Sequence, residues 1–132
     1  MYLLDTNIVS DMVRNPQGVV VRRIAEIGED QIATSVIVAC ELRFGVERKQ
    51  SERLATQVEA ILALLPVLPL GDAVDRHYGQ VRAALERKGE PIGGNDLLIA
   101  AHVLELGATL VTNNVREFER IEGLAIENWL RP

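Results

Sequence analysis

The chain has 132 residues, 48% of them hydrophobic, which is enough for one well-packed domain and leaves no room for a second. Its formal net charge of -5 argues against general nucleic-acid binding, because phosphate-binding proteins usually carry a basic surface. Cys40 is the only cysteine, which excludes an internal disulfide and a thiolate metal cluster, and His77 and His102 are too scattered to suggest zinc.

Apolar spacing predicts strands and helices that alternate along the chain. Short apolar runs predict strands at 2–4, 31–34, 67–70, 109–112 and 125–129. Helical spacing predicts helices after Thr6 or Asn7, from about Val20 to Gly28, at 36–48, 51–65, 72–88 and 96–106, and a short one within 113–119. This alternation favours an α/β fold around a mainly parallel sheet.

No apolar stretch reaches the roughly 20 residues that cross a bilayer, and the amino terminus lacks a signal-peptide pattern. We therefore expect a soluble cytoplasmic protein. Within the helix 36–48 we expect Val36, Ala39, Cys40 and Phe44 to form the stripe that faces the core. His102 and Trp129 are expected to be packing residues.

Four acidic side chains lie after predicted strands or at helix starts. In open α/β sheets the functional crevice lies beyond the carboxyl ends of the strands. Asp5 directly follows the first strand, and Glu41 lies in the helix after the second. Asp96 begins a helix for which Asn95 is the expected cap, and Glu117 follows the fourth strand. We expect all four acids to face one pocket.

Such a cluster predicts a divalent cation. Unpaired carboxylates this close repel each other by a few kcal/mol per pair at an effective dielectric of about 20. Oxygen ligands favour Mg²⁺ or Mn²⁺, which typically takes one or two protein carboxylates together with substrate phosphate. Because such an ion can activate water and orient a phosphodiester, the predicted chemistry is phosphodiester hydrolysis.

Four blocks of sequence carry a family resemblance that spans the whole chain. They are LLDTNIVSD, SVIVACELRFGVER, GEPIGGNDLLIAAH and LVTNNVREFERIEGLAIENW. Together they resemble the PIN domain of VapC toxins, in particular those of enteric type, in which the tail reads TNN followed by REFERI. The resemblance implies one PIN domain over 1–132, with a three-layer fold in which helices flank a mainly parallel sheet of about four or five strands.

Residue by residue, the resemblance implies that Asp5 and Asp96 hold Mg²⁺ or Mn²⁺ and that Glu41 and Glu117 complete the catalytic site. The supporting polar groups it implies are Thr6, Asn7, Thr112 and Asn114. Many PIN domains have an aspartate where this chain has Asn114, in a T-x-D pattern after the last strand. Either Glu117 substitutes for that aspartate or the site holds only one metal firmly, and we favour Glu117.

The resemblance further implies a metal-dependent endoribonuclease that blocks translation as the toxin of a type II toxin–antitoxin system. Similarity to enteric-type members suggests initiator tRNA, cut in its anticodon region, as the substrate. The implied partners are a VapB-type antitoxin and a second copy of the chain, in a homodimer and a hetero-oligomer. With few aromatic residues, recognition would rest on RNA shape and backbone.

Each acid also has a structural alternative. Asp5 can be a turn or cap residue, and Asp96 can complement the helix macrodipole. Glu41 can have a buried arginine partner, and Glu117 can lie on the solvated surface.

Two other functions share features with this sequence. A haloacid-dehalogenase-type phosphatase needs a second aspartate where this chain has Asn7, which disfavours it. A catalytically inactive PIN-like binding or scaffold module stays open, since a sequence does not show whether four acids converge. Basic residues near the predicted helix 36–48, among them Arg48 and Lys49, can contact phosphates or lie on a solvated face.

Overall fold

The computed structural model describes residues 1–131 and contains a five-stranded parallel sheet flanked by helices. The strands are β1 Tyr2–Leu4, β2 Ile32–Ser35, β3 Val67–Leu68, β4 Thr109–Val111 and β5 Ala125–Glu127. The helices are α1 Thr6–Arg14, α2 Val19–Ile27, α3 Val36–Lys49, α4 Glu52–Leu64, α5 Val74–Lys88, α6 Gly94–Leu106 and α7 Val115–Phe118. The predicted α/β fold with a mainly parallel sheet is confirmed.

The strand order, β3-β2-β1-β4-β5, brings distant parts of the chain together at the middle of the sheet. In β1, Leu4 is in register with Thr34 of β2 and with Val111 of β4. The next residues along β1 and β4 are Asp5 and Thr112, and the Asp5 amide donates a 2.9 Å hydrogen bond to the Val111 carbonyl. The sheet order therefore places these two polar side chains side by side at the carboxyl edge.

The core fills both faces of the central strands. Leu3, Leu4, Leu110 and Val111 are fully buried, as is typical of parallel strands covered on two sides. Trp129 is also buried and packs against Tyr2, with ring centroids 5.4 Å apart, so its expected packing role is confirmed. Within residues 1–131, the structure contains no helix with the length and apolar character needed to span a membrane.

The expected core stripe of α3 is wrong in part. Ala39 is buried, but Cys40 is exposed and 65% of Phe44 is accessible to solvent. The buried face instead includes Val38 and Leu42. In the first two turns of α3, apolar residues occur on all sides of the helix, so the sequence alone does not specify which side is buried. Packing against α1, α4 and α6 determines the buried side.

Helix starts also differ from their predicted caps. α6 begins at Gly94 with Gly93 as the N-cap, so Asn95 lies within the first turn and is exposed. At α1, the cap is Asp5 rather than Thr6 or Asn7, because its side chain accepts from the Thr6 amide. Both shifts move an expected cap residue into the helix.

A buried polar pair connects α6 to the start of α3. His102 is fully buried, and its Nδ1 lies 2.8 Å from Ser35 Oγ, which also accepts from the Ile37 amide as the cap of α3. Burial lowers the pKa of His102, which favours the neutral ring. The packing role expected for His102 is thereby confirmed, and the pair fixes the relative position of two helices that carry site acids.

Candidate active site

Asp5 lies at the junction of β1 and α1, where it both caps the helix and belongs to the acidic site. As the N-cap of α1, it accepts a 2.8 Å hydrogen bond from the Thr6 amide at Oδ1. Its Oδ2 accepts from the Thr112 hydroxyl at 2.7 Å and from Asn7 Nδ2 at 3.2 Å. The side chain is 3% exposed. The cap alternative considered from the sequence is therefore correct, and it is compatible with a place in the acidic site.

Asn7 and Thr112 join the end of β1 to the end of β4. The Asn7 Oδ1 accepts from the Asn113 amide at 2.9 Å, and Thr112 Oγ1 accepts from the Asn114 amide at the same distance. The Asn7–Asn113 contact and the Thr112–Asp5 contact each connect residues more than a hundred positions apart in the chain. They hold the loop after β4 against the amino end of α1 and so define the geometry around Asp5.

Glu41 reaches the same edge of the sheet from α3. Its Oε1 accepts a 2.6 Å hydrogen bond from the Thr6 hydroxyl, and the residue is half-buried. The alternative of an arginine partner is not found, since no ion pair within residues 1–131 involves Glu41. A neutral hydroxyl orients this carboxylate without cancelling its charge.

Asp96 and Glu117 complete the group. Burial, the charge of Asp5 and contact with Glu117 together raise the pKa of Asp96 to about 7, and the charge of Glu41 adds to this. Glu117 Oε2 also accepts a 3.0 Å hydrogen bond from Asn114 Nδ2. Glu117 is therefore held within the cluster rather than on a freely solvated face, and Asn114 supports it.

The pKa of Asp5, like that of Asp96, is affected by burial and by a neighbouring acidic side chain. Burial raises its pKa above the usual value, hydrogen bonds from Thr112 and the Thr6 amide partly offset this, and the charge of Glu41 raises it further. Asp96 is thus influenced by the other three predicted acids, and Asp5 is influenced by Glu41. The structure brings them together beyond the carboxyl ends of β1 and β4.

The donor set fits Mg²⁺ or Mn²⁺ better than zinc. No group of three or more His, Cys, Asp or Glu side chains in residues 1–131 is arranged as a ready metal cage. Mg²⁺ does not require one, because it commonly keeps several waters and binds one or two carboxylates. Asp5 and Asp96 can supply those. Burial is the main cause of their raised pKa values, and the charges of neighbouring acids, which a dication would offset, raise them further.

Two features of the site were not anticipated from the sequence. The first is the hydrogen bond between Asn7 and the Asn113 backbone, and the second is the link from His102 to Ser35. The TNN run that contains Asn113 was visible as a motif. Its partner was not, because no local pattern identifies a contact across 106 positions.

Comparisons with known proteins show which proteins this chain resembles. The sequence matches the family described as PIN domain over residues 2–124. It is 40% identical over 131 residues to Ribonuclease VapC2 of Rickettsia felis, an alignment that covers 98% of each chain. It is 37% identical over 129 residues to the tRNA(fMet)-specific endonuclease VapC of Shigella flexneri, with 97% of each chain covered.

Two solved structures show the same fold. The VapBC2 crystal structure from Rickettsia felis, bound to a DNA fragment from the promoter, matches with a TM-score of 0.90 and 38% identity. That match covers 97% of this chain and 98% of the other. DNA-bound VapBC from Salmonella typhimurium matches with a TM-score of 0.87 and 37% identity, over 97% of each chain.

Proposed function

The chain belongs to the PIN-domain family of VapC-type ribonucleases, and we propose that it is a Mg²⁺- or Mn²⁺-dependent endoribonuclease that hydrolyses phosphodiester bonds in tRNA. The observation that carries the proposal is that the charges of Asp5, Glu117 and Glu41 all act on Asp96 at one edge of the sheet. Residues 1–132 would act as a single catalytic domain, which is supported by the family match over nearly the whole chain.

In this proposal, Asp5 and Asp96 hold the cation. When bound, the ion supplies charge neutralisation and an activated water for attack on the phosphorus. Thr112 and Asn7 keep Asp5 oriented through its Oδ2, so the buried carboxylate is positioned before substrate arrives. Burial of Asp5 strengthens its attraction for a cation, because little solvent competes for it.

Glu41 and Glu117 orient the attacking water, and one of the two carboxylates accepts the single proton that this water releases. Each is held at one oxygen by a neutral donor, Glu41 by the Thr6 hydroxyl and Glu117 by the Asn114 amide. The second oxygen of Glu41 is then available to a water beside the scissile phosphate, while Glu117 also contacts Asp96. The proton taken from the water is later returned to the oxygen that leaves.

The substrate and partners follow from the relatives. One relative is named as a tRNA(fMet)-specific endonuclease, and two solved relatives are VapBC complexes. We propose that this chain cleaves initiator tRNA in its anticodon region in the cytoplasm and thereby stops translation. A VapB-type antitoxin would neutralise it, with the chain present as a homodimer within a toxin–antitoxin hetero-oligomer.

Cleavage of purified initiator tRNA tests the enzyme against the inactive scaffold. With Mg²⁺, we expect one major cut, mapped by sequencing of the RNA ends, and a much weaker reaction on an elongator tRNA. A chelator should abolish the cut, and added Mg²⁺ or Mn²⁺ should restore it. If the protein binds the tRNA but cleaves none of the RNAs with either metal, the scaffold interpretation is correct.

Separate substitutions of Glu117 and Asn114 test which of the two residues completes the acidic site beside Asp96. Glu117→Gln is expected to lower kcat about 100-fold, because it removes a charge and a proton acceptor from the site. Asn114→Ala removes only the hydrogen bond to Glu117 and should lower kcat less than about tenfold. Single-turnover cleavage at saturating enzyme measures both, and a larger loss for Asn114→Ala would reverse the assignment.

A further inference from the structure

A groove opens beside the acidic site, between α1, α3 and α4. It has a volume of about 220 Å³, and Thr6 and Glu41 of the site form part of its wall. Its other polar lining includes Arg14 at the end of α1 and Arg48 and Lys49 at the end of α3. We call it the basic groove. Since it shares two residues with the site, a ligand that leaves the site can enter it directly.

The three cations of the basic groove form no ion pairs within residues 1–131, although Glu41 lines the same groove. Within residues 1–131, none of them has a carboxylate within ion-pairing distance, whereas Arg23, Arg43, Arg82 and Arg120 are each paired with a glutamate. The Arg48 guanidinium instead lies 5.6 Å from the centre of the Phe44 ring. Local positive charge in a protein of net charge -5 favours an anionic ligand at this place.

The lining of the groove includes Gly45, a glycine in the interior of α3. Gly45 lies four residues after Glu41 and three before Arg48, so all three share one face of α3. Glycine in a helix interior is less favourable for the helix than alanine. The backbone conformation does not require glycine at position 45, because φ is negative there. Packing does not require it either, because an added Cβ would meet nothing within 4 Å. The missing side chain leaves room for a ligand against the helix backbone.

The groove runs along α3 from the acidic site. Its apolar lining includes Leu42 and Val58, which are only 7% and 3% exposed, and the partly exposed Val13 and Leu54. Along the shared face of α3, Arg48 lies about 10 Å from Glu41, at 1.5 Å rise per residue. An extended RNA backbone can span that distance from the scissile phosphate.

We propose that the basic groove binds the phosphate backbone of the substrate RNA adjacent to the scissile bond. Arg48 and Lys49 contact phosphates beyond Gly45, and Arg14 contacts the same strand from the opposite wall. This inference rests on the proposed ribonuclease function. It assigns the groove a positioning role, because none of its three cations touches the reacting atoms.

Steady-state cleavage of initiator tRNA at several salt concentrations tests the proposal. Arg14→Gln with Arg48→Gln is expected to raise KM about tenfold while kcat changes little, because only substrate binding is weakened. The slope of log(kcat/KM) against log[salt] should become shallower by about 0.7 for each lost phosphate contact. Arg87→Gln is the matched control, since Arg87 is also an arginine in the last turn of a helix and lies outside the groove.

A second pair of variants tests the role of Gly45 in the groove lining. Gly45→Leu is expected to raise KM with an unchanged or higher melting temperature, since leucine favours the helix and the position has space. Gly79→Leu is the control, because Gly79 is an interior glycine of α5 with equally open surroundings outside the groove. It should leave KM unchanged.

The outcomes separate this inference from the function on which it rests. If the wild-type protein cleaves no RNA, the proposed function fails. If it cleaves and the groove variants match it in KM and salt slope, the groove does not bind RNA, and the surface is then available to a protein partner. Equal effects of Arg87→Gln and the groove variants would also overturn the proposal, because they would reflect net charge alone.

Discussion

Asp96→Asn is expected to abolish RNA cleavage while making the metal-free protein more stable. The substitution removes one of the two carboxylates proposed to hold the cation, so we expect kcat/KM to fall at least about 1000-fold. It also removes a charge that is crowded by Asp5, Glu117 and Glu41. Relief of this repulsion should raise the melting temperature in a chelator by a few degrees, which corresponds to about 1 kcal/mol after solvent screening.

The difference in stability between Asp96→Asn and the wild type depends on pH. The folded-state pKa of Asp96, about 7, lies above its ordinary value of 3.8, so between these values the folded wild-type protein binds a proton that the unfolded chain does not. This proton binding stabilises the wild type fully below about pH 3.8, and the stabilisation is lost as pH rises through about 7. The melting temperatures of wild type and Asp96→Asn should therefore coincide near pH 4 and differ most above pH 7.

Thermal unfolding in a chelator across this pH range measures the effect. Mg²⁺ should then raise the melting temperature of the wild type at pH 8 but not that of Asp96→Asn, because a ligand stabilises only the state that binds it. Asp75→Asn on the exposed first turn of α5 is the control for a generic loss of negative charge. A melting temperature for Asp96→Asn below the wild-type value at pH 8 would contradict the assignment and indicate a structural role.

Asp5→Asn is expected to abolish cleavage as well, but with a loss of stability. Both oxygens of Asp5 accept hydrogen bonds, Oδ1 from the Thr6 amide and Oδ2 from the Thr112 hydroxyl. An asparagine has one acceptor oxygen, so its NH₂ group must face one of these donors in a buried site. An unsatisfied buried donor costs about 1–3 kcal/mol, which exceeds the repulsion relieved by the lost charge.

The melting temperatures of the two variants, compared with that of the wild type, test this prediction. Melting temperatures at pH 7 in a chelator should rank Asp96→Asn above the wild type and Asp5→Asn below it. Thr112→Val is a useful companion, since it removes the hydroxyl that donates to Asp5 and keeps the charge. Its kcat should fall less than that of Asp5→Asn. Equal or higher stability of Asp5→Asn would show that its hydrogen bonds contribute little.

Much of the site was accessible from sequence because it depends on local rules. An apolar run that ends in a carboxylate placed Asp5 at a strand end, and the crevice of a parallel sheet lies at such ends. Strand and helix periodicities also determined the α/β class, since each repeats within a few residues. The family resemblance then selected four acids from nineteen, which spacing alone did not do.

The tertiary structure decided which residues meet. The Thr6–Glu41 and Asn7–Asn113 hydrogen bonds join residues 35 and 106 positions apart, and neither has a local signature. The same holds for the buried face of α3, where Phe44 is exposed although its spacing predicted burial. A periodic pattern specifies that a helix forms, but its neighbours in space select the side that is covered and so create the basic groove above Gly45.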